Sequence, residues 1–404
     1  MTKSCTCHQT PTPSYSQIGK PKESSVIGEI LALAARPEVI SFAGGLPSAE
    51  GFPVKAIKDA ADWVLETCPQ VALQYSAVGG MPALLEAIAK IETDHGVPTT
   101  PDEVMIVSGS QQALDMIARV FTDEGDKVLV ETPTYMGALY AFELCKPKFV
   151  SLPTDDEGLN PDLIDDRVAG AKFAYVMPTY QNPTGRCMSL ERRKKMMELV
   201  TKYEIPVFED NPYGDLRFEG EEIAPLITMD PKHLVMYSGT FSKTLAPGMR
   251  LAWMVCNDEI LAKMDLVKGS TDLATPSVTQ REVAMYMKNY DFEGHVQDNC
   301  KLYGHRRDVM CNAIKEYFPK DVKCTYPHGG LFLWVELPEG CNSRDLFKYA
   351  LERKVAYVPG DAFFPESGKK NFFRLNFSYN DDDVTVEGVK RLADALKAYL
   401  ADQK

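Results

Sequence analysis

Lys243 lies in a stretch whose residue types could support covalent chemistry. It follows an apolar run, His233 to Tyr237, that predicts a short buried strand, and small hydroxyl and glycine residues separate the two. A lysine amine can form a Schiff base with a carbonyl, and Arg250, seven residues further on, adds positive charge for a phosphate. Hydroxyl donors accompany them at Ser238, Thr240 and Ser242. Taken alone, such a lysine is more often a surface residue in a polar loop, so the rest of the chain decides.

Polar and aromatic residues also follow four other apolar runs, which predict strands at Val104 to Val107, Lys127 to Val130, Phe173 to Met177 and Pro206 to Phe208. In a parallel sheet, ligands bind in the crevice at the carboxyl ends of the strands. The residues just after these runs are therefore expected to meet there, and they include Ser110, Gln111, Tyr135, Asn182, Asp210 and Tyr213. Each has an ordinary alternative as a helix cap, a core aromatic residue or a turn residue.

Together these side chains fit one kind of ligand. Ser110 begins a predicted helix, whose free N–H groups and positive dipole end suit a phosphate. Tyr135 offers a ring face for stacking. Asp210 can hold a pyridine nitrogen protonated, while Asn182 and Tyr213 can hydrogen-bond a ring oxygen. With the lysine amine, the set matches an aromatic pyridine that carries a phosphate and an aldehyde.

Four stretches carry a family resemblance: SGSQQALD, PTYQNPTG, EDNPY and SGTFSKTLAPGMR. In this order they resemble the fold-type I pyridoxal-phosphate enzymes, and specifically the class I and II aminotransferases, over nearly all of the chain from about Ser24 onward. The resemblance implies pyridoxal 5'-phosphate as the cofactor and Lys243 as the catalytic lysine bonded to it. It implies further cofactor contacts at Ser110, Gln111, Tyr135, Asn182, Asp210, Tyr213, Thr240, Ser242 and Arg250.

Three more stretches gain a role from the same resemblance. FFRLNF is similar to the segment whose arginine, here Arg374, binds the substrate α-carboxylate, and a planar guanidinium suits a carboxylate. SFAGGLP is expected to line the substrate side through Gly45, together with Asn182. LQYSAVGG is similar to the segment whose tyrosine, here Tyr75, reaches the phosphate of the neighbouring subunit, which implies a homodimer.

The alternation of apolar runs with helical patterns predicts an α/β fold. Strands alternating with long helices indicate crossover units and a mostly parallel sheet sandwiched by helices, as in the fold-type I enzymes. After about residue 292 the pattern becomes that of a smaller α+β domain, completed by the N-terminal segment. The predicted parts are a tail at 1–23, a joining segment at 24–53, a large cofactor-binding domain at 54–291 and a small domain at 292–404.

Further elements follow from the same patterns. A first helix is expected from the Ser24 and Ser25 caps to Arg36, where Pro37 stops it. Other helices are predicted at Gln111 to Phe121, Tyr135 to Cys145, Leu190 to Tyr203 and Phe292 to Tyr317, with a closing helix that ends at Leu400. Other strands are predicted at Phe149 to Leu152, Leu251 to Cys256, Leu331 to Leu337 and Phe372 to Phe377.

The bulk composition excludes several classes of protein. The 404 residues carry a net charge of −13 with no basic cluster, which disfavours a nucleic-acid surface. The chain has no apolar run of about 18 residues and no secretory pattern, so we expect no membrane span and a cytoplasmic location. Apart from Cys5 and Cys7, the cysteines are scattered, and we expect these eight to be buried thiols and not disulfides. Cys5, Cys7 and His8 lack a second pair at zinc spacing, so no metal site is predicted.

The resemblance is strongest to the branch of 2-aminoadipate, kynurenine and related broad-range aminotransferases, in which a first-helix arginine can meet an acidic side chain. Gly28 stands at that position here, although Arg36 could compensate. We therefore expect an aromatic, aliphatic or 2-aminoadipate-like amino donor with 2-oxoglutarate as the acceptor. The implied reaction is ping-pong, with Lys243 moving the Cα proton.

Two other functions are compatible with the same motifs. A pyridoxal-phosphate-dependent cysteine-conjugate β-lyase also begins by removing the Cα proton, and release of ammonia and pyruvate without an oxo acid would identify it. A regulatory module that senses the cofactor is the least favoured function. Such regulators carry a DNA-binding module before this domain, and the predicted tail at 1–23 is too short to hold one.

Overall fold

The computed structural model describes residues 36–366 and 369–403, together with residues 14, 16, 28 and 32–34. Most of the first predicted helix therefore lies outside the described residues, although residues 28 and 32–34 are helical. The cluster of Cys5, Cys7 and His8 also lies outside them.

Strands and helices are numbered here in chain order over the described residues. The strands are β1 Ile40–Ser41, β2 Val104–Val107, β3 Lys127–Thr132, β4 Lys148–Asp155, β5 Gly158–Leu159, β6 Phe173–Val176, β7 Val207–Asp210, β8 Val235–Thr240, β9 Ala252–Val255, β10 Lys323–Cys324, β11 Phe332–Glu336, β12 Val355–Ala356, β13 Val358–Pro359 and β14 Phe372–Asn376. The α-helices are α1 Val54–Thr67, α2 Pro69–Ala72, α3 Pro82–Asp94, α4 Ser110–Phe121, α5 Met136–Glu143, α6 Leu190–Tyr203, α7 Phe241–Thr244, α8 Asp258–Thr271, α9 Ser277–Asn289, α10 Phe292–Tyr317, α11 Ser343–Glu352 and α12 Asp382–Asp402.

Eight strands form one large sheet, in the order β2-β9-β8-β7-β6-β3-β4-β5. The five strands from β8 to β4 in this order run parallel to their neighbours. β9 is antiparallel to both β8 and β2, because residues 241–251 return the chain from β8 over too short a distance for a parallel crossover. The predicted mostly parallel sheet is confirmed, with β9 as an antiparallel member.

Helices cover both faces of this sheet. Along β3, Val128 and Val130 pack into one apolar cluster with Phe142 of α5, whereas Leu129 packs into a second cluster with Met196 of α6. Successive side chains of a strand point to opposite faces, so each face of β3 has its own apolar partners. Burial on both faces explains why the central strands read as nearly continuous apolar runs.

A second, four-stranded antiparallel sheet lies in the C-terminal part, in the order β10-β11-β14-β13. The long helix α10 packs against the closing helix α12. β1 pairs in parallel with β12, with Ile40 opposite Val355, so the N-terminal segment joins the C-terminal part. This pairing supports the predicted small domain, and the domain boundaries themselves stay a prediction.

Element ends account for most differences from the predicted bounds. α6 and α10 have the predicted bounds, but β4 continues to Asp155 rather than ending at Leu152. The extension exists because β5 folds back on it, with Thr154 opposite Leu159. α5 ends at Glu143 instead of Cys145, and α12 continues to Asp402.

Within the described part of the chain, no helix is long and apolar enough to cross a membrane. Those residues also contain no group of three or more His, Cys, Asp and Glu side chains that could hold a metal ion. The eight cysteines among them are free thiols, but only Cys256 and Cys341 are buried and the other six are half-buried. The expectation of buried thiols was therefore wrong for most of them.

Candidate active site

One cavity of about 810 Å³ collects nearly all the side chains singled out from the sequence. It lies where β2, β3, β6, β7 and β8 end, and the second sheet and the segment after β1 close it. Of the predicted site residues, Tyr75 is absent from the cavity wall and is 82% exposed. The others line the cavity: Gly45, Ser110, Gln111, Tyr135, Asn182, Asp210, Tyr213, Thr240, Ser242, Lys243, Arg250 and Arg374.

Lys243 lies in the one-turn helix α7, directly after β8. The prediction that the strand ends at Tyr237 was wrong, because β8 continues to Thr240. Gly239 allows this extension: a Cβ atom there would lie 2.3 Å from Cζ2 of Trp253 on the neighbouring strand β9. Thr240 then caps the turn by accepting a hydrogen bond from the backbone N–H of Ser242 at 3.1 Å.

The amine of Lys243 has one hydrogen-bond partner among the described residues and a lowered pKa. Its Nζ donates to the backbone oxygen of Gly45 at 2.7 Å. Burial, reinforced by the positive charges of Arg374 and Arg250, lowers the pKa of Lys243 to about 8. A substantial fraction of this amine is therefore neutral near neutral pH, the form that attacks carbonyls and accepts protons.

Asp210 ends β7 with one carboxyl oxygen bonded and the other without a partner. Oδ2 accepts a hydrogen bond from the Tyr175 hydroxyl at 2.8 Å. Oδ1 is buried and has no hydrogen-bond partner among the described residues. Burial raises the pKa of Asp210 to about 6, against the opposing effect of the Tyr175 hydrogen bond. A buried oxygen at the cavity wall suits a donor on a bound ligand.

Tyr175 was missed by the sequence reasoning, which treated Phe173 to Met177 as a plain buried strand. It lies in β6, next to β7, and is opposite Phe208 in the parallel pairing. The usable signal was a hydroxyl within an otherwise apolar run, beside a strand that ends in an aspartate. Burying that hydroxyl requires a partner, and the Asp210 carboxylate provides it.

Arg374 joins three parts of the chain at the opposite wall of the cavity. It lies in β14 between β11 and β13, and it is buried. Nη1 donates to Oδ1 of Asn182 at 2.8 Å, and Nη2 donates to the backbone oxygen of Ala43 at 2.7 Å. Its guanidinium carbon lies 4.1 Å from the ring centroid of Phe332, a second residue that the sequence reasoning missed. Burial lowers the pKa of Arg374 to about 10, so it stays cationic at neutral pH.

The remaining polar residues gather at the start of α4. Gly109 precedes the helix with a φ of +82°, and a Cβ atom there would lie 2.1 Å from Nη2 of Arg250. Only glycine therefore lets the guanidinium of Arg250 lie against this turn. Ser110 is the first helical residue, and Gln111 donates from Nε2 to the backbone oxygen of Gly137 at 3.0 Å.

Tyr135 and Tyr213 contribute aromatic surface to the cavity. The Tyr135 ring packs on Gly137, where a Cβ atom would lie 2.4 Å from its Cζ. The Tyr213 ring meets Phe332 edge-on at a centroid distance of 5.8 Å. Burial raises the pKa values of both phenols above the ordinary value, so both remain hydrogen-bond donors. Ser41 and Leu46, from the SFAGGLP stretch, also line the cavity, and so do Met136, Tyr379 and Asn380, which the sequence reasoning did not place here.

Comparison with known proteins decides the family. The family model described as aminotransferase class I and II matches residues 37–396. The chain belongs to this family. Its resemblance to the class I and II aminotransferases, first inferred from four stretches, is confirmed, and the protein is an aminotransferase of fold type I.

Three relatives illustrate the similarity. The aromatic-amino-acid aminotransferase 1 of Thermococcus litoralis is 40% identical over 401 residues, which cover 96% of each chain. The crystal structure of a Pyrococcus horikoshii kynurenine aminotransferase in complex with PMP is 40% identical, with a TM-score of 0.92 and coverage of 96% of this chain and 97% of that one. The α-aminoadipate aminotransferase of Thermus thermophilus, complexed with N-(5'-phosphopyridoxyl)-L-leucine, is 38% identical with a TM-score of 0.88, covering 94% and 96%.

The lowered pKa of Lys243 can be tested in the cofactor-free protein. Only a neutral amine reacts with an acylating reagent, so the labelling rate of Lys243 should rise to half its maximum near pH 8. Arg374→Met should move this midpoint to higher pH, because it removes a positive charge that lowers the pKa. Exposed Lys58, whose pKa is raised by Asp62, is the internal control. Peptide mass spectrometry measures both rates, and a Lys243 profile that overlaps that of Lys58 would contradict the prediction.

Proposed function

We propose that this aminotransferase uses pyridoxal 5'-phosphate to move an amino group from an L-amino acid to a 2-oxo acid, by a ping-pong reaction at the cavity described above. One observation carries the proposal: the amine of Lys243, whose pKa is lowered by desolvation, the partnerless Oδ1 of Asp210 and the buried guanidinium of Arg374 line the same cavity. No packing requirement explains three ionisable groups gathered in one cavity, since each costs free energy to desolvate.

The residues present fit the cofactor. When bound, pyridoxal phosphate supplies a carbonyl that reacts with amines and an electron-poor ring that stabilises negative charge at Cα. Asp210 would hold a proton at the ring nitrogen, because its free Oδ1 can accept that hydrogen bond. A cationic partner favours the carboxylate form and so opposes the effect of burial on the Asp210 pKa.

The other cofactor contacts follow from their places on the cavity wall. Tyr135 would pack on the ring, and Asn182 and Tyr213 would hydrogen-bond its oxygen. The phosphate would be held at the start of α4 and near α7, where N–H groups, hydroxyls and a guanidinium meet: Ser110, Gln111, Thr240, Ser242 and Arg250.

Lys243 would act as the base that removes the Cα proton of the amino acid and returns it to the cofactor. Its pKa of about 8 suits an amine that must both accept and release a proton near neutral pH.

Arg374 would bind the substrate α-carboxylate and so orient Cα. Each terminal nitrogen of a guanidinium carries two hydrogens, and here one from each is used on Asn182 and Ala43. The second hydrogen of each remains for a bidentate contact with a carboxylate, while the two protein bonds fix the guanidinium plane. Gly45 stays small beside this position, because a Cβ atom there would lie 3.3 Å from Cζ of Phe332.

The cavity supports a broad range of amino donors, as first expected. Its wall combines apolar residues such as Leu46, Met136 and Phe332 with one further cation, Arg36. The relatives named above act on aromatic amino acids, kynurenine and α-aminoadipate by their names. We infer aromatic, aliphatic or 2-aminoadipate-like donors with 2-oxoglutarate as the acceptor, and transamination in preference to β-elimination, since all three relatives are named aminotransferases.

Arg36 would bind the distal carboxylate of 2-oxoglutarate. Gly28 has no neighbouring atom within 4 Å of an added Cβ and carries no charge, so it cannot supply this contact. Arg36 lines the cavity, and the described residues offer it no carboxylate within ion-pair distance. A guanidinium without an ion-pair partner among the described residues can bind an acidic ligand.

The protein would act as a cytoplasmic homodimer. Tyr75 lies in an exposed apolar surface that α1, α2 and the following loop share, with Val54 68%, Val71 50% and Leu73 72% exposed. Exposed apolar residues at this density suit an interface with a second copy. In such a dimer Tyr75 would contact the phosphate in the neighbouring cavity. Free thiols among the described cysteines agree with a reducing compartment.

Half-reactions test the reaction itself. We expect the purified protein to show the absorbance band of lysine-bound pyridoxal phosphate, which selected L-amino acids remove and 2-oxoglutarate restores. Lys243→Ala should lack this band and lose at least about 10³-fold in turnover, because its base is gone. Lys58→Ala, at an exposed position, should behave as wild type. An unchanged band and turnover in Lys243→Ala would refute the proposal, and ammonia release without an oxo acid would favour the β-lyase.

Acceptor selectivity tests Arg36. Arg36→Met should lower kcat/KM for 2-oxoglutarate by about 10- to 100-fold, the worth of a hydrogen bond to a charged group. For the monocarboxylate phenylpyruvate, kcat/KM should change by less than about threefold, since this acceptor has no distal carboxylate. Arg167→Met, at a side chain 76% exposed, is the matched control. Equal losses for both acceptors would show that Arg36 does not bind the distal carboxylate.

A further inference from the structure

A buried lysine outside the cavity wall is bonded beneath the turn that precedes α4. Lys268, in α8, has no exposed surface. Its Nζ donates to Oδ1 and Oδ2 of Asp272 at 2.9 and 3.1 Å, to Oγ1 of Thr275 at 3.1 Å and to Oε1 of Gln112 at 3.4 Å. Burying an ammonium costs free energy unless it is paired and hydrogen-bonded, so the position of each acceptor is fixed by this lysine.

The acceptors of Lys268 also hold Ser108, the first residue of the turn. The Ser108 hydroxyl donates to Oδ2 of Asp272 at 2.8 Å and lies 3.2 Å from Oγ1 of Thr275. Its backbone N–H donates to Oε1 of Gln112 at 2.7 Å. Both hydrogen-bond donors of Ser108, its hydroxyl and its backbone N–H, are therefore bonded to atoms that the Lys268 ammonium also contacts.

The same turn carries the groups proposed for the phosphate. Ser110 and Gln111 follow Ser108 after one glycine, and Nη2 of Arg250 donates to the backbone oxygen of Ser108 at 3.4 Å. Arg250 lies in direct contact with the turn, since a Cβ atom on Gly109 would lie 2.1 Å from Nη2 of Arg250. A displacement of Ser108 is therefore expected to move three of the five residues proposed to bind the phosphate, namely Ser110, Gln111 and Arg250.

The network also reaches the segment that carries Tyr75. Gln280 donates from Nε2 to the backbone oxygen of Thr275 at 2.8 Å, and its Oε1 accepts from the backbone N–H of Met81 at 2.9 Å. The Ser76 hydroxyl donates to the same oxygen of Thr275 at 3.4 Å. One buried polar network thus connects the turn before α4 with both ends of the loop after Tyr75.

We propose that Lys268 and Asp272 are a positioning pair for the phosphate-binding turn, which they hold through Ser108. The inference rests on the proposed function, because it requires a phosphate-bearing ligand in the cavity. Neither residue is among the described residues that line the cavity, so the pair acts on the ligand only through the turn. The phosphate of the cofactor is the chemical group whose binding depends on it.

Binding to the cofactor-free protein tests the proposal without any catalytic turnover. Lys268→Met removes the ammonium at nearly constant side-chain length. We expect the dissociation constants of pyridoxal phosphate and of inorganic phosphate to rise about tenfold, the worth of a charged hydrogen bond. Pyridoxal, which lacks the phosphate, should bind within about twofold of wild type. Lys263→Met, on the same helix but exposed, is the matched control and should change none of the three constants.

A second variant keeps the test decisive where Lys268→Met does not fold. Ser108→Ala breaks the same connection but leaves the Lys268–Asp272 ion pair in place, and it should weaken phosphate binding while pyridoxal binding persists. The double variant should weaken phosphate binding no more than the stronger single variant, since both changes break one connection.

The possible failures can be told apart. Unchanged affinity for pyridoxal phosphate and inorganic phosphate in both single variants would overturn the positioning role, even if the wild type binds the cofactor. Equal weakening of pyridoxal and pyridoxal phosphate would also overturn it, because this result indicates a general loss of structure. A wild-type protein that binds no pyridoxal phosphate at all would overturn the proposed function, and this inference with it.

Discussion

Desolvation of charge at the carboxyl end of the sheet is the constraint on which this active site depends. Desolvation favours the neutral form of Asp210, Lys243 and Arg374, so it raises the pKa of the aspartate and lowers the pKa values of the lysine and the arginine. The acid therefore binds its proton more tightly, whereas the two bases bind theirs less tightly. Such a cavity favours a ligand with complementary charges. A protonated ring would complement Asp210, and a carboxylate would complement Arg374.

Close packing between strands and loops makes this arrangement possible. Gly239 lets β8 continue beside Trp253, so that α7 begins where its lysine enters the cavity. Gly109, with its positive φ, lets Arg250 lie against the turn before α4. In both places a single Cβ atom would occupy space that the side chain opposite already uses, Trp253 at Gly239 and Arg250 at Gly109. Both glycines are therefore constrained by these side chains, and Gly109 also by its positive φ.

The sequence predicts the site well where function follows from a strand end and poorly where it follows from a contact across the fold. Asp210 and Lys243 can be recognised as site residues, because the carboxyl ends of parallel strands lie at one edge of the sheet. Tyr175 and Lys268 lie within apolar or helical patterns, and their roles depend on contacts with Asp210 and Gln112, which are distant in sequence. The contact with Tyr175 joins neighbouring strands that are distant in sequence. The end of β8 was also misplaced, because its extension depends on the Trp253 ring of another strand.

The two sides of the cavity come from different parts of the chain. The groups proposed for the cofactor follow the strands of the large sheet, whereas Arg374, Ala43 and Gly45 come from β14 and the segment after β1. Asn182 is the exception, since it follows β6 and yet bonds to Arg374. Gly45 accepts a hydrogen bond from Lys243, and the charge of Arg374 lowers the pKa of Lys243, so changes in this second group of residues also act on the lysine. The hydrogen bond from Arg374 to Asn182 is another link, through which the proposed substrate contact and the proposed cofactor contact constrain each other.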